Sequence, residues 1–256
     1  MKTILSLFLS IFLFGNIFSQ TTEQNIQEIR TQFKLVNSQK DFKKVYLENE
    51  EFTDQIPSEG AGLEGFYKNE TIYKIVENDA VSQAVYTNQY YLKNNQLIFV
   101  YRTEKSIVMH EDGTFKGEIN YDERVYCKNS KIIRHLKKGK SVLSKNLDFQ
   151  KMFKDYLPLL NTKIKFEKQY NYLQGSWRNA DNKNDFFEIE GLIKRVYNED
   201  DIPELSRFWL ENKYLYVHNT ETKEDFKYEI LELSADKLEI QDRLSREVFI
   251  YGKTKN

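Results

Sequence analysis

On both sides of Lys93-Asn94 the chain alternates apolar and polar positions with a period of two. Before the pair, Tyr86, Asn88, Tyr90 and Leu92 share one face, and Val85, Thr87, Gln89 and Tyr91 share the other. After it, Leu97, Phe99 and Tyr101 alternate with Ile98 and Val100. Alternation flanking a short Asn-centred break predicts a β-hairpin. Asn tolerates the left-handed backbone that tight hairpin turns need, and its amide can bond nearby backbone groups. The arrangement recurs at Asn69 and Asn129 and, more loosely, at Asn212. The recurrence reads most simply as turn chemistry; the alternative is that the tips form a shared binding edge.

Chained together, these hairpins predict an antiparallel meander with strands near 43–49, 63–68, 72–77, 83–92, 96–105, 117–127 and 131–137. In the sixth, Ile119, Tyr121, Val125 and Cys127 line one face, while Glu118, Asn120, Asp122, Arg124 and Tyr126 line the other. That alternation describes a sheet with one wet side. The cover for its dry side is "NIQEIRTQFKLV", where Ile26, Ile29, Phe33 and Val36 recur at helical spacing. The first domain, residues 20–146, is therefore expected to be one helix on an antiparallel meander, an α+β arrangement that is mostly β. It is similar to helix-plus-meander regions of uncharacterised exported proteins.

A helical connector over 147–166 follows, with Phe149, Met152, Phe153, Tyr156 and Leu157 on one face and Pro158 at its end. From Tyr172 the strand pattern returns in "YLQGSWRNA", "DFFEIEGLIKRVYN", "SRFWLENKYLYVHN" and a final piece turned at Ser234–Asp236 and near Asp242–Leu244. The second domain, 167–256, is thus expected to be antiparallel β.

"YLQGSWRNAD", then a meander closing on "REVFIYGK", resembles the small lipocalin-like domains of exported bacterial proteins. The resemblance covers the last third of the chain and rests on the Gly175-Ser176-Trp177 motif. It implies a small antiparallel β-barrel with Trp177 plugging one end and an arginine near the last strand packed across it. Arg246 is the implied partner, with Arg243 second. The segment is shorter than a complete eight-stranded ligand-carrying barrel, so a core filled by its own side chains is expected. An apolar ligand, if carried, would be held among Trp177, Trp209, Tyr216 and Arg246; core packing is the competing role for these aromatic residues.

The amino terminus changes the picture of compartment. Lys2, an apolar run from Ile4 to Phe14 and a short exit have the layout of a secretory signal over residues 1–19, cleaved after Ser19 or, alternatively, Gln20. The run falls short of the roughly 20 residues that span a bilayer. No Cys follows it to carry a lipid anchor, and no later stretch is apolar enough to cross. A secreted or periplasmic protein is expected. Cys127 is the single cysteine, so the fold must rely on burial, for which 17 Tyr, 18 Phe and 2 Trp supply the material. With 38 basic and 39 acidic residues the net charge selects no nucleic acid. The local exception is Lys128, Lys131, Arg134, Lys137, Lys138, Lys140 and Lys145, without an acid among them. It reads as an edge strand blunted by lysines, with a patch for acidic glycans or lipid headgroups as the functional alternative.

No reaction motif is found. His110 in "HEDGT" has no second His four residues on, and neither His135 nor His218 has a metal-ligand neighbour at the right spacing. "DNKNDFFEIEG" places Lys183 and Phe186 where a calcium loop needs a ligand and a glycine. Cys127 shares a face with Ile119, Tyr121 and Val125, which predicts a buried thiol. The expectation is a non-catalytic binding or interaction module with no catalytic residue, metal or cofactor. Its partner would be an envelope protein or a small apolar molecule. An enzyme would have to be assembled from residues distant in sequence. Amino-terminal sequencing of the exported protein should begin at Gln20, or at Thr21 for the alternative cleavage; a start at Met1 would refute the signal.

Overall fold

The computed structural model describes residues 21–141, 147–197 and 203–254. The signal segment expected over 1–19 and Lys145 of the lysine run lie outside the described residues. The chain forms two compact units. One holds the residues up to Lys44 with Phe66–Asn78 and Gln83–Gln150. The other holds Val45–Gly65, Asp79–Ser82 and everything from Lys151 on.

A helix over 21–38 (α1) precedes seven strands, β1 (Lys43–Glu48), β2 (Ala61–Lys68), β3 (Thr71–Val81), β4 (Ala84–Lys93), β5 (Gln96–Met109), β6 (Phe115–Lys128) and β7 (Lys131–Gly139). They lie in sequential order in one antiparallel sheet. The asparagine turns are as expected. Asn69, Asn94 and Asn129 have φ of 48°, 52° and 49°, and the residues after them, Glu70, Asn95 and Ser130, have 59°, 59° and 61°. Two consecutive positive φ values mark the two-residue turn whose twist matches that of paired strands. β7 ends the sheet, as the lysine run suggested. Its flanking Lys128 and its Arg134 pair with Glu28 and Glu23 of α1.

Two expectations about faces are corrected. A bulge after Tyr91 pairs Leu92 with Leu97 but Tyr91 with Phe99, so Leu97 and Phe99 do not share a face. Moreover, α1 covers the side thought to be wet: Ile26, Ile29 and Val36 pack on Tyr91, Phe99 and Tyr126, with Phe33 beside them. The other side is buried as well. Tyr90, Leu92, Val100, Val125 and Cys127 are all inaccessible there, and Phe149 meets Tyr90 at 6.4 Å. The physical reason is that "YYL", "LIFVY" and "VYC" supply apolar groups to both faces, and a strand buried on both faces does not alternate. The Cys127 thiol is buried as expected; burial raises its pKa, and Gln150 partly offsets this.

Farther along this second face the buried groups are charged. Arg102 bonds Glu104 at 3.1 Å and Glu123 at 3.3 Å, with all three side chains at most 5% exposed. Ser141 donates to Glu104 at 2.8 Å, while His135 and Lys137 approach Glu123. Burial alone would raise the Glu123 pKa, but His135, Lys137, Tyr121 and Arg102 together bring it down.

In the second unit, α2 (Phe149–Lys165) and α3 (Glu167–Leu173) lead into β8 (Gly175–Asn179), β9 (Phe186–Glu190), β10 (Ile193–Val196), β11 (Glu204–Glu211), β12 (Tyr214–Asn219), β13 (Asp225–Leu233), β14 (Lys237–Asp242) and β15 (Val248–Lys253). These eight strands close into an antiparallel barrel, β15 returning to β8 with Lys253 opposite Trp177 and Tyr251 opposite Asn179. The barrel is therefore complete in strand number, contrary to the expectation from its length, because its strands are short. α2 continues through Pro158 instead of ending there. Its buried stripe, Phe153, Tyr156, Leu160 and Ile164, extends on both sides of the proline, and that burial holds the helix together across the missing N–H. Tyr172, read as the start of a strand, belongs to α3, and the first barrel strand begins at Gly175.

Arg102→Leu should destabilise the first unit by about 3–5 kcal/mol, because it removes the guanidinium that the buried Glu104 and Glu123 share. Urea denaturation checks this; a change below about 1 kcal/mol would show that the cluster is well hydrated.

Candidate binding groove

Strand register decides what the barrel shows to the outside. Across β11, β12 and β13, Arg207 lies opposite His218, Trp209 opposite Tyr216, and His218 opposite Asp225. Side chains that point one way at 207 and 209 put Phe208 and Leu210 on the inside, where both are buried. Of the outward residues, Arg207, Trp209, His218 and Asp225 form one wall of a groove of about 620 Å³, and α2 and the segment Phe52–Gln55 form the rest.

Asp54 is the hub of the groove. Its carboxylate receives Arg207 at 2.8 Å, His218 Nε2 at 3.1 Å and Lys223 Nζ at 3.1 Å. Partial burial would raise its pKa, but the bonds from Lys223, His218 and Arg207 outweigh this and bring it from 3.8 to about 2. Arg207 also donates Nε to the Glu50 carbonyl at 2.8 Å. Burial lowers the pKa of this guanidinium, and Asp54 opposes the shift. His218 Nδ1 faces Asp225 at 2.8 Å. Carboxylates thus flank both ring nitrogens, and the ring donates to both only when each nitrogen carries a proton.

Local structure positions these groups. The Asn219 side chain accepts from the Glu221 and Thr222 amides, which tightens the turn that returns Lys223 towards Asp54. Leu210 N donates to Thr162 Oγ1 at 2.9 Å and so ties β11 to α2. Pro158 lines the groove and deprives the Lys154 carbonyl of its intrahelical donor. Lys151 and Asp155 pair on the adjoining turns at 2.6 Å. The groove therefore offers fixed donors and acceptors of both signs beside the Phe52 and Trp209 rings.

The aromatic residues singled out from the sequence are not gathered in one place. Trp177 is fully buried, donating Nε1 to the Leu173 carbonyl at 2.8 Å. Trp209 and Tyr216 stack on each other at 5.3 Å, nearly parallel, on the outer wall. The cation over Trp177 is Lys253, 5.1 Å from the ring centre, and not Arg246 or Arg243. Arg246 sits exposed in the β14–β15 turn with φ 65°, and Arg243 pairs with Glu229 at 3.1 Å. Gly175 has φ 102°, and a Cβ there would lie 3.1 Å from Lys253 Cε, so glycine lets the lysine lie across the indole. The barrel interior keeps a cavity of only about 100 Å³, lined by Phe187, Ile189, Phe208, Tyr228 and Tyr251 among others.

His110 is in an exposed turn, and His135 belongs to the Glu123 cluster. Among the described residues no group of His, Cys, Asp and Glu is placed to hold a metal ion, and no helix is long and apolar enough to cross a membrane. Sequence reasoning missed Asp54, Arg207 and Asp225. The shared parity of 207 and 209 with 216 and 218 about Asn212 was a readable signal for the barrel wall; nothing local marked Asp54. Comparison of the chain with protein-family models and with curated proteins finds no match.

Because its folded pKa is depressed, the Asp54 carboxylate contributes stability in full above about pH 4, and that stability is lost as pH falls through about 2. Urea melts of the protein and of Asp54→Asn should differ most at neutral pH and converge towards pH 2. A constant difference would mean that folding does not shift the Asp54 pKa and that its ion pairs contribute nothing.

Proposed function

We propose that the protein is an exported, non-catalytic interaction module, with the outer groove of the second unit as its binding surface for a segment of an envelope protein. One observation carries this reading: the groove's acid and base groups are bonded to one another around Asp54. Groups held in this way present a fixed pattern of charge and leave no free nucleophile-and-base pair of the kind turnover requires. An open groove with both signs of charge and the partly exposed Trp209 ring suits a polypeptide that carries polar and apolar side chains.

The closed eight-stranded barrel, with Trp177 at its core and a cation over the indole, supports the likeness to small lipocalin-like domains. The alternative role, carriage of a small apolar ligand inside the barrel, has less support. Ligand pockets run to about 300–1,000 Å³, and the interior cavity is about 100 Å³. The proposal therefore places recognition on the barrel's outer wall.

The test immobilises the full exported protein and compares capture from an envelope extract by the wild type, by Trp209→Glu in the groove and by Leu244→Ser in a turn 96% exposed. A partner held by the wild type and Leu244→Ser but lost by Trp209→Glu is expected. Equal capture by all three, or no specific capture, overturns the groove as the surface. Native mass spectrometry of the same preparation should give the mass of the bare chain; a co-purifying apolar molecule would favour the carrier.

A further inference from the structure

The first unit carries a separate trough of about 360 Å³ between α1 and the sheet. Its floor is aromatic. Phe33 meets Phe99 edge-on at 5.5 Å, Phe99 meets Tyr126 at 4.9 Å, and Tyr101 lies alongside. Phe33 and Tyr101 are only half-buried, so part of each ring remains open to an incoming apolar group.

The charges around this floor have one sign. Arg30, Lys34 and Arg124 line the trough, and no carboxylate does. Arg124 is partly held by Asp122 at 3.0 Å and stands over Tyr101 at 5.6 Å. Arg30 and Lys34, one turn apart on α1, have no hydrogen-bond or ion-pair partner among the described residues. The acidic Glu23 and Glu28 of the same helix are drawn away to Arg134 and Lys128. The helix thus presents its unpaired cations at the mouth of an aromatic cavity.

We propose that this trough is a binding site for amphipathic carboxylates, with the apolar body on the Phe33, Phe99, Tyr101 and Tyr126 rings and the carboxylate between Arg30, Lys34 and Arg124. Its volume lies in the range of small-molecule pockets. Guanidinium and ammonium groups bind a carboxylate through charge-assisted hydrogen bonds, and the rings accept aliphatic or aromatic bodies without directional demands. A neutral apolar molecule would fill the floor but leave the cations uncompensated. A fully hydrophilic anion would leave the rings wet. The proposal does not draw on the groove of the second unit and stands or falls apart from it.

The test titrates the full exported protein with decanoate, decanol and decyltrimethylammonium by calorimetry and maps the decanoate site by amide chemical-shift changes. Decanoate should bind and shift amides of 29–34, 99–101 and 124–126. Decanol should bind about tenfold more weakly and the cation not at all. Arg30→Gln/Lys34→Gln changes two exposed side chains, so folding is kept, and it should weaken decanoate binding about tenfold while leaving decanol binding unchanged. Any one of four results overturns the proposal: no decanoate binding, equal affinity for decanoate and decanol, an unchanged double variant, or shifts confined to the barrel.

Discussion

A hairpin turned on an asparagine in the left-handed region has little freedom in its register, and the rest of this structure depends on that. At the Asn69, Asn94 and Asn129 turns φ is positive at both central residues, at the Asn212 turn at Asn212, and the strands on either side pair from the turn outward. Each subsequent side chain is thereby assigned to a face, and a slip of one residue would send every one of them to the opposite face. In the second unit the Asn212 turn sets Arg207 opposite His218 and Trp209 opposite Tyr216. The same register that fills the barrel with Phe208, Leu210, Leu215 and Val217 therefore places the polar and aromatic groove residues on its outer wall.

Beside the Asn94 and Asn129 turns, bulges after Tyr91 and after Tyr126 change this assignment. Each lets one strand contribute an extra residue, Ile98 in β5 and Ile133 in β7, to the face packed against α1. The sheet can therefore bury apolar groups on both sides near its asparagine turns while its opposite end carries Arg102, Glu104 and Glu123. Buried charge of this kind is costly unless paired, and here each charged group has an opposite partner within hydrogen-bonding distance. The Arg102 Nε alone is left without one.

The two units use charge differently. In the first, the Arg102 cluster pairs its charges under the surface, and Arg30 and Lys34, without a partner among the described residues, stand beside an aromatic trough. In the second, charge gathers around Asp54 in an open groove, while the small cavity of the barrel is lined mainly by apolar and aromatic side chains, with the half-buried Lys194 beside Phe187. Burial lowers the pKa of that lysine, and Asp185 and Glu204 oppose the shift. A small cavity and a bonded polar wall both favour the proposed reading, in which the closed barrel is the support and its outer wall the binding surface.

The inward place of Trp177 was what the resemblance to small lipocalin-like domains implied. The sequence by itself determined the hairpins, the helix with Ile26, Ile29, Phe33 and Val36 on its inner face and the buried thiol of Cys127. These follow from local rules, since side-chain period and turn chemistry act over a few residues. Only the tertiary structure decided which sheet face α1 would cover, that Pro158 would lie within a helix, and that Lys253 would take the place expected of Arg246. It also brought Asp54 to Arg207, His218 and Lys223. Those outcomes depend on groups far apart in the chain competing for one partner, and neither period nor spacing carries that information.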